Sequence, residues 1–180
     1  MNNQIVVVDY NPQWPETFAT IRQSLALALA EVPIVGIEHV GSTSVPGLAA
    51  KPIIDIDVIV DHSNVGEAIA ALESIGYASL GDLGVPGRHA LQAPQGALRQ
   101  NTYVTVNGCL SLRNHLGLRD VLRRDRELRD EYSSVKRRLV TETDDIDVYI
   151  DGKTEIIQRI LERAGIGRSE LVEIESLNRL

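Results

Sequence analysis

Only one cysteine, one methionine, one tryptophan and one phenylalanine occur among the 180 residues. The single thiol, Cys109, has no partner for an intrachain disulfide and carries no metal-binding Cys spacing. Aromatic residues make up 4% of the chain, too few for the stacking platforms that hold single-stranded nucleic acid. No apolar run approaches the roughly 18 residues that a membrane span requires, and no basic segment followed by an apolar one opens the sequence at Met1. A cytoplasmic protein without a membrane partner is the expectation. Basic charge is also scarce, with 18 Lys and Arg against 25 Asp and Glu, so nucleic acid is not an expected partner. A hydrophobic content of 43% with 24% charged residues is that of a chain that folds, and the length suits one domain.

The net charge of −7 conceals a pattern. Residues 1–87 carry 2 basic and 10 acidic groups, residues 88–140 carry 11 and 5, and residues 141–180 carry 5 and 10. Hydrophobic periodicity predicts a helix over Glu16–Glu31 through Phe18, Ile21, Leu25 and Leu29, followed by strands at Ile34–Val40 and Pro52–Val60. Asn64 with Glu67 reads as a capping box for a helix ending near Gly76. Short extended pieces follow at Tyr77–Leu80, Arg88–Gln92 and Asn101–Val106. From Leu110 the pattern is helical: one helix through Leu112, Leu116 and Leu122, a second over Arg126–Val140, and a third over Asp147–Ala164. The expected architecture is α+β, a mixed sheet packed on helices with a C-terminal helical subdomain. The chain reads as a single unit, 1–180, with a mixed core over 1–108, a helical part over 109–165 and a peripheral tail over 166–180.

Chemistry concentrates in two neighbouring segments. In Ile53-Ile54-Asp55-Ile56-Asp57-Val58 the two aspartates lie two residues apart, so in a strand both carboxylates leave the same face while Ile54, Ile56 and Val58 enter a core. Such a pair repels itself unless a cation or hydrogen-bond donors neutralise it, and a divalent metal does so. The plainer alternative is the solvated face of an edge strand. Before this strand, Gly41-Ser42-Thr43-Ser44 offers hydroxyls and close backbone approach, suited to a polyphosphate, with a plain surface turn as its alternative. It is no Walker A loop, because Ser42 stands where the lysine belongs, and neither Ser42 nor Ser44 has the flanking glycines of a nucleophile elbow. Lys51, four residues before Asp55, is within reach of a phosphate.

The run from Glu38-His-Val-Gly-Ser-Thr-Ser-Val-Pro-Gly through Lys51-Pro-Ile-Ile-Asp-Ile-Asp57 resembles the core motif of the GrpB family, a branch of the DNA polymerase beta-like nucleotidyltransferase superfamily. The resemblance continues in Asn11-Pro-Gln-Trp14, Gly87-Arg88, Leu112-Arg-Asn-His-Leu-Gly-Leu-Arg-Asp-Val-Leu-Arg123, Glu131-Tyr132 with Lys136, and Asp151-Gly-Lys153, and so covers nearly the whole chain. It implies a nucleotidyltransferase-like sheet that binds ATP or another nucleoside triphosphate with Mg²⁺, or with Mn²⁺ in its place. Gly41 and Ser42 would hold the triphosphate, and Asp55 and Asp57 would ligate the metal. The implied activity is transfer of a nucleotidyl group to a small-molecule acceptor. Superfamily enzymes commonly add a third carboxylate on a later strand, whereas Asn101-Thr-Tyr-Val-Thr-Val106 contains none. His115 or Glu38 could replace it, or the acceptor could arrive already nucleophilic. Two further readings stay open: a non-catalytic nucleotide- or metabolite-binding module, and a ligase that activates a carboxylate with ATP.

The basic segment supplies candidate substrate ligands in Arg88, Arg113, His115, Arg119 and Arg123, the last three at helical spacing on one stripe. Arg124, Arg126, Arg129, Arg137 and Arg138 read as solvated or ion-paired helix faces. Trp14 is expected to pack, His39 to be a satisfied structural histidine, and Cys109 to act as a small hydrophobe. The resulting picture is an acidic half holding metal, faced across a cleft by an arginine-bearing helix around Arg113–Arg123.

Overall fold

The computed structural model describes residues 5–177. Asn11 accepts the Gln13 amide through its side chain, and with Pro15 in the first turn this starts helix α1 (Trp14–Ala28), whose Trp14, Ile21 and Leu25 are buried. Strand β1 (Gly36–Val40) leads through a single 3₁₀ turn at Ser42–Ser44 to β2 (Ile54–Val60). Helix α2 (Val65–Glu73) and strands β3 (Ala78–Ser79), β4 (Arg88–Gln92) and β5 (Gln100–Val106) complete the first half. Helices α3 (Leu110–Arg124), α4 (Arg126–Glu142), α5 (Ile146–Asp151), α6 (Thr154–Arg163) and α7 (Arg168–Leu177) form the second.

The five strands pair in the order β1-β2-β5-β4-β3. Only β2 and β5 run parallel. One face packs Ile54, Ile56, Val58, Val104 and Leu91 against Ile21, Leu25, Leu29, Ala68 and Leu72 of α1 and α2. Burying these aliphatic side chains drives this half together, each contributing about 1.5–3 kcal/mol before conformational entropy is subtracted. The opposite face carries Asp55 and Asp57 and is covered by the helical half. Val45 and Leu48, in the connection between β1 and β2, are wholly buried among Val121, Leu122, Leu128, Tyr132, Ile156 and Ile160. They tie the two halves to one another.

Several expectations are corrected. Strand β2 is an inner strand paired on both sides, so the aspartates are not the wet face of an edge. Asn64 makes no cap; its side-chain amide instead donates to the Pro33 carbonyl at 3.0 Å, a partner 31 residues away. The expected helix over Asp147–Ala164 is two helices, α5 and α6, broken around Gly152-Lys153. In the peripheral segment, where the sequence leaves helix or no helix open, residues 168–177 form α7, whose Leu171 and Ile174 pack on Leu161 and Ile166; residues 178–180 lie outside the described residues. Among the described residues no helix is long and apolar enough to cross a membrane.

Candidate functional site

Sheet register places the acidic pair among defined neighbours. Asp55 lies opposite Val40 on β1 and Asn101 on β5, and Asp57 lies opposite Glu38 and Tyr103. Asp57 is fully buried, and both its oxygens are occupied: Thr105 Oγ1 donates to Oδ1 at 2.9 Å, and His115 Nδ1 meets Oδ2 at 2.8 Å. Because a carboxylate oxygen accepts, Nδ1 carries the proton and Nε2 of a neutral His115 is left as an acceptor. That nitrogen has no partner among the described residues. The His115 ring packs near Tyr103 at 5.9 Å. Asn101 Nδ2 donates to Asp55 Oδ1 at 2.7 Å and leaves Oδ2 without a donor. Burial raises Asp55 to about 6, working with the repulsion of Asp57 against the Asn101 hydrogen bond and the charges of His115 and Lys153.

Asp55 also touches the loop. Gly41 has φ +67° and ψ −173°, a conformation that only glycine adopts without strain, and any side chain there would collide with the Asp55 carboxylate. The loop is braced internally by Ser44 Oγ donating to the Gly41 carbonyl at 2.6 Å and by Thr43 Oγ1 donating to the Ile53 carbonyl at 3.1 Å. Ser42 presents its hydroxyl to Lys136, whose Nζ donates to it at 2.9 Å.

Three lysines converge here, of which only Lys51 stands out as a site residue from spacing. Lys136 is buried on α4 with its ammonium 4.3 Å from the Tyr132 ring centre, while Lys51 and Lys153 sit 4.8 and 4.3 Å from the ring of Tyr149. Burial pushes the Lys136 ammonium well below its ordinary range and takes Lys153 down to about 8, with Lys51 adding repulsion. Burial, reinforced by Arg99, also lowers Lys51. Asp55 is the acid that opposes all three shifts. A concentration of cations that depress one another is relieved by an added anion. The sequence signal for Lys153 was the Gly-Lys pair at what proved to be a helix junction; Lys136 gave only a motif match.

Three of the four candidate arginines, Arg113, Arg119 and Arg123, do not share this place. Arg113 forms a bidentate pair with Glu170 of α7. Arg119 reaches Glu38, Asp120 and the His39 carbonyl, and Arg123 donates twice to the Ser44 carbonyl. Of the stripe His115, Arg119, Arg123, only His115 meets the aspartates, so the expected arginine wall opposite the acidic pair is not there. Arg88 lies over the Tyr103 ring at 4.8 Å, with its buried Nε unpartnered. His39 is structural, hydrogen-bonded to Thr43 at 3.0 Å and stacked on Phe18. Trp14 packs edge-on to Tyr10 in the core. Cys109 has a role that composition does not reveal, since its sulfur caps α3 by accepting the Leu112 amide.

Among the described residues no group of three or more His, Cys, Asp or Glu is arranged to hold a metal ion. Two carboxylates, one with an oxygen free of donors, fit a magnesium ion that arrives with phosphate oxygens rather than one caged by protein alone.

Comparison with known proteins shows what the chain as a whole is similar to. The model of the family described as "GrpB protein" matches residues 4–163. A UPF0157 protein of Streptomyces coelicolor is 37% identical, over 92% of this chain and 87% of its own length. The glutamate-rich protein GrpB of Alkalihalophilus pseudofirmus is 25% identical over 88% and 94%. The crystal structure of the conserved protein GrpB from Enterococcus faecalis superposes with a TM-score of 0.77 at 34% identity, covering 88% of this chain and 96% of that one. The GLD-2/RNP-8 complex gives a TM-score of 0.57 at 15% identity, over 91% of this chain and 64% of that one. Cid1 in complex with its short product ApU gives 0.52 at 18%, over 72% and 42%. These two distant likenesses concern the fold alone, and the fold is nucleotidyltransferase-like.

Proposed function

The chain belongs to the GrpB family, and from that premise we propose that it binds a magnesium–nucleoside triphosphate at Asp55, Asp57 and the Gly41–Ser44 loop and transfers the nucleotidyl group to a small acceptor. The observation that carries this reading is the meeting, on one sheet face, of two aspartates, a glycine loop and three mutually repelling lysines. In it, Ser42 and Lys51, Lys136 and Lys153 receive the triphosphate, whose negative charge offsets the burial and repulsion that lower the lysines. Asn101 orients Asp55, and Thr105 and His115 orient Asp57. A divalent cation on these carboxylates supplies charge neutralisation at the phosphates.

Strand β5 supplies no third carboxylate, because Asn101 occupies the register position next to Asp55, and Glu38, opposite Asp57 on β1, is paired with Arg119. His115 takes the base role in its place. With Nδ1–H held by Asp57, Nε2 accepts the proton of the acceptor's hydroxyl as that oxygen bonds to the α-phosphorus and the bond to the leaving pyrophosphate breaks. Asn101 also favours a second reading, a nucleotide-binding module that does not turn over, since an amide accepts no proton at neutral pH.

Calorimetric titration with ATP and other nucleoside triphosphates separates the outcomes. Binding that requires Mg²⁺ and disappears in Asp55→Asn supports the site, and absence of binding by any triphosphate overturns it. Pyrophosphate release with a panel of small acceptors, abolished in His115→Ala, supports the transferase; tight binding with no release favours the module.

A further inference from the structure

Arg119 and Arg123, which do not face the aspartates, belong to a different concavity. A cleft of about 680 Å³ wraps the free edge of β1, with Tyr10, Pro15, Phe18 and Arg22 on one side and Arg119, Arg123 and Arg129 on the other. Its volume lies within the range of pockets for small organic ligands. Four guanidinium groups line it, from α1, α3 and α4, against the single carboxylate of Glu38.

Much of their donor capacity is uncommitted. Arg123 uses Nε and Nη2 on the Ser44 carbonyl, leaving Nη1. Arg119 uses Nε and Nη1, leaving Nη2. Arg129 engages Asp130 through Nε alone, and Arg22 enters no ion pair among the described residues. The surplus of positive charge is felt by neighbours: after burial itself, Arg123 and Arg119 hold His39 down to about 4, so the imidazole adds no further cation. Arg119 likewise lowers Arg123, second to burial. Opposite the guanidiniums stands a flat apolar wall, the Phe18 ring stacked on His39 at 4.7 Å and 13°, with Tyr10 and Pro15 beside it.

We infer that this cleft is a second ligand site, one that takes a phosphomonoester carried on a planar or apolar body. Donors converging from three helices suit a group with three acceptor oxygens and two charges, and the aromatic wall suits what the phosphate is attached to. The site lies at the sheet edge, beside the acidic pair rather than on it: Phe18 and His39 are on the opposite face, while Glu38, the cross-strand neighbour of Asp57, is held by Arg119. It communicates with that pair through one loop: Ser44 and Pro46 line the cleft, while Gly41, hydrogen-bonded to Ser44, rests on Asp55.

The chain carries its own reporter, since its only tryptophan, Trp14, contacts Tyr10 at 5.3 Å. Phenyl phosphate titrated into the full chain without Mg²⁺ or nucleotide is expected to give saturable fluorescence and heat changes. Arg22→Gln/Arg129→Gln, both on exposed or half-buried side chains, should weaken that binding at least about tenfold while the melting temperature stays unchanged. Asp55→Asn should bind phenyl phosphate as the parent does, whatever its effect on ATP, which keeps failure here distinct from failure of the transferase reading. No saturation by about 10 mM overturns the site. Loss of binding in Asp55→Asn, unaltered binding in the double variant, or equal affinity for inorganic phosphate also overturns it.

Discussion

The imidazole of His39 shows how tightly single residues are specified around the loop. Thr43 spends its one hydroxyl proton on the Ile53 carbonyl, so His39 Nε2–H must donate to Thr43, and the ring is neutral with its pKa down from 6.5 to about 4. A histidine whose folded pKa lies below its unfolded value binds fewer protons folded than unfolded in that window. Stability therefore falls as pH drops from 6.5 through 4. His39→Gln, which keeps a donor and cannot charge, should flatten that part of the profile; urea midpoints measured across the window would reveal an unchanged slope if the assignment is wrong. Gly41 is the second such position. Gly41→Ala should cost about 1–3 kcal/mol from backbone strain and displace the Asp55 carboxylate, with Mg²⁺–ATP binding lost in calorimetry although neither residue's charge has changed.

Among the secondary elements, α7 tests what holds a helix in place. Its Arg113–Glu170 pair is exposed and bidentate, whereas Leu171 and Ile174 are buried against Leu161 and Ile166. Exposed pairs contribute little, while truncating a buried leucine costs about 2–5 kcal/mol. Hydrogen exchange should find residues 168–177 protected in Glu170→Gln and unprotected in Leu171→Ala. Period-2 and period-3.6 patterns made β2, α3 and α4 legible in advance, because one buried face suffices to write an alternation into the sequence. The same rule found Asp55 and Asp57, and placed His115, Arg119 and Arg123 on one stripe. It did not reveal which strand each would meet: α3 crosses the sheet obliquely, taking His115 to β2, Arg119 to β1 and Arg123 to the loop beyond. Lys136 meets Ser42 across 94 residues of chain, a partnership that no local spacing encodes. The break at Gly152-Lys153 is hidden in the sequence because Ile150, Ile156 and Ile157 keep an apolar pattern across it.

At the scale of the molecule, the two halves cannot be separated cleanly, because Val45 and Leu48 leave the sheet half to be buried in the helical one. Trp14 reports on the sheet half, and far-UV circular dichroism is dominated by the helices. Denaturation followed by both should give coincident midpoints, and Leu48→Ala should move them together by about 2–5 kcal/mol. Separate midpoints would show two independently folding units. The free edge of β1 has a consequence at this scale as well. An exposed strand edge is a template on which a second chain can add a strand, and sheet proteins that leave it open are prone to polymerise. In this molecule Arg119 clamps the outward His39 carbonyl, and a charged, hydrated guanidinium stands where an incoming backbone amide would have to dock. The cleft arginine thus occupies a backbone acceptor that an added strand would need, and Arg119→Ala is expected to raise self-association, read by light scattering, with the core intact.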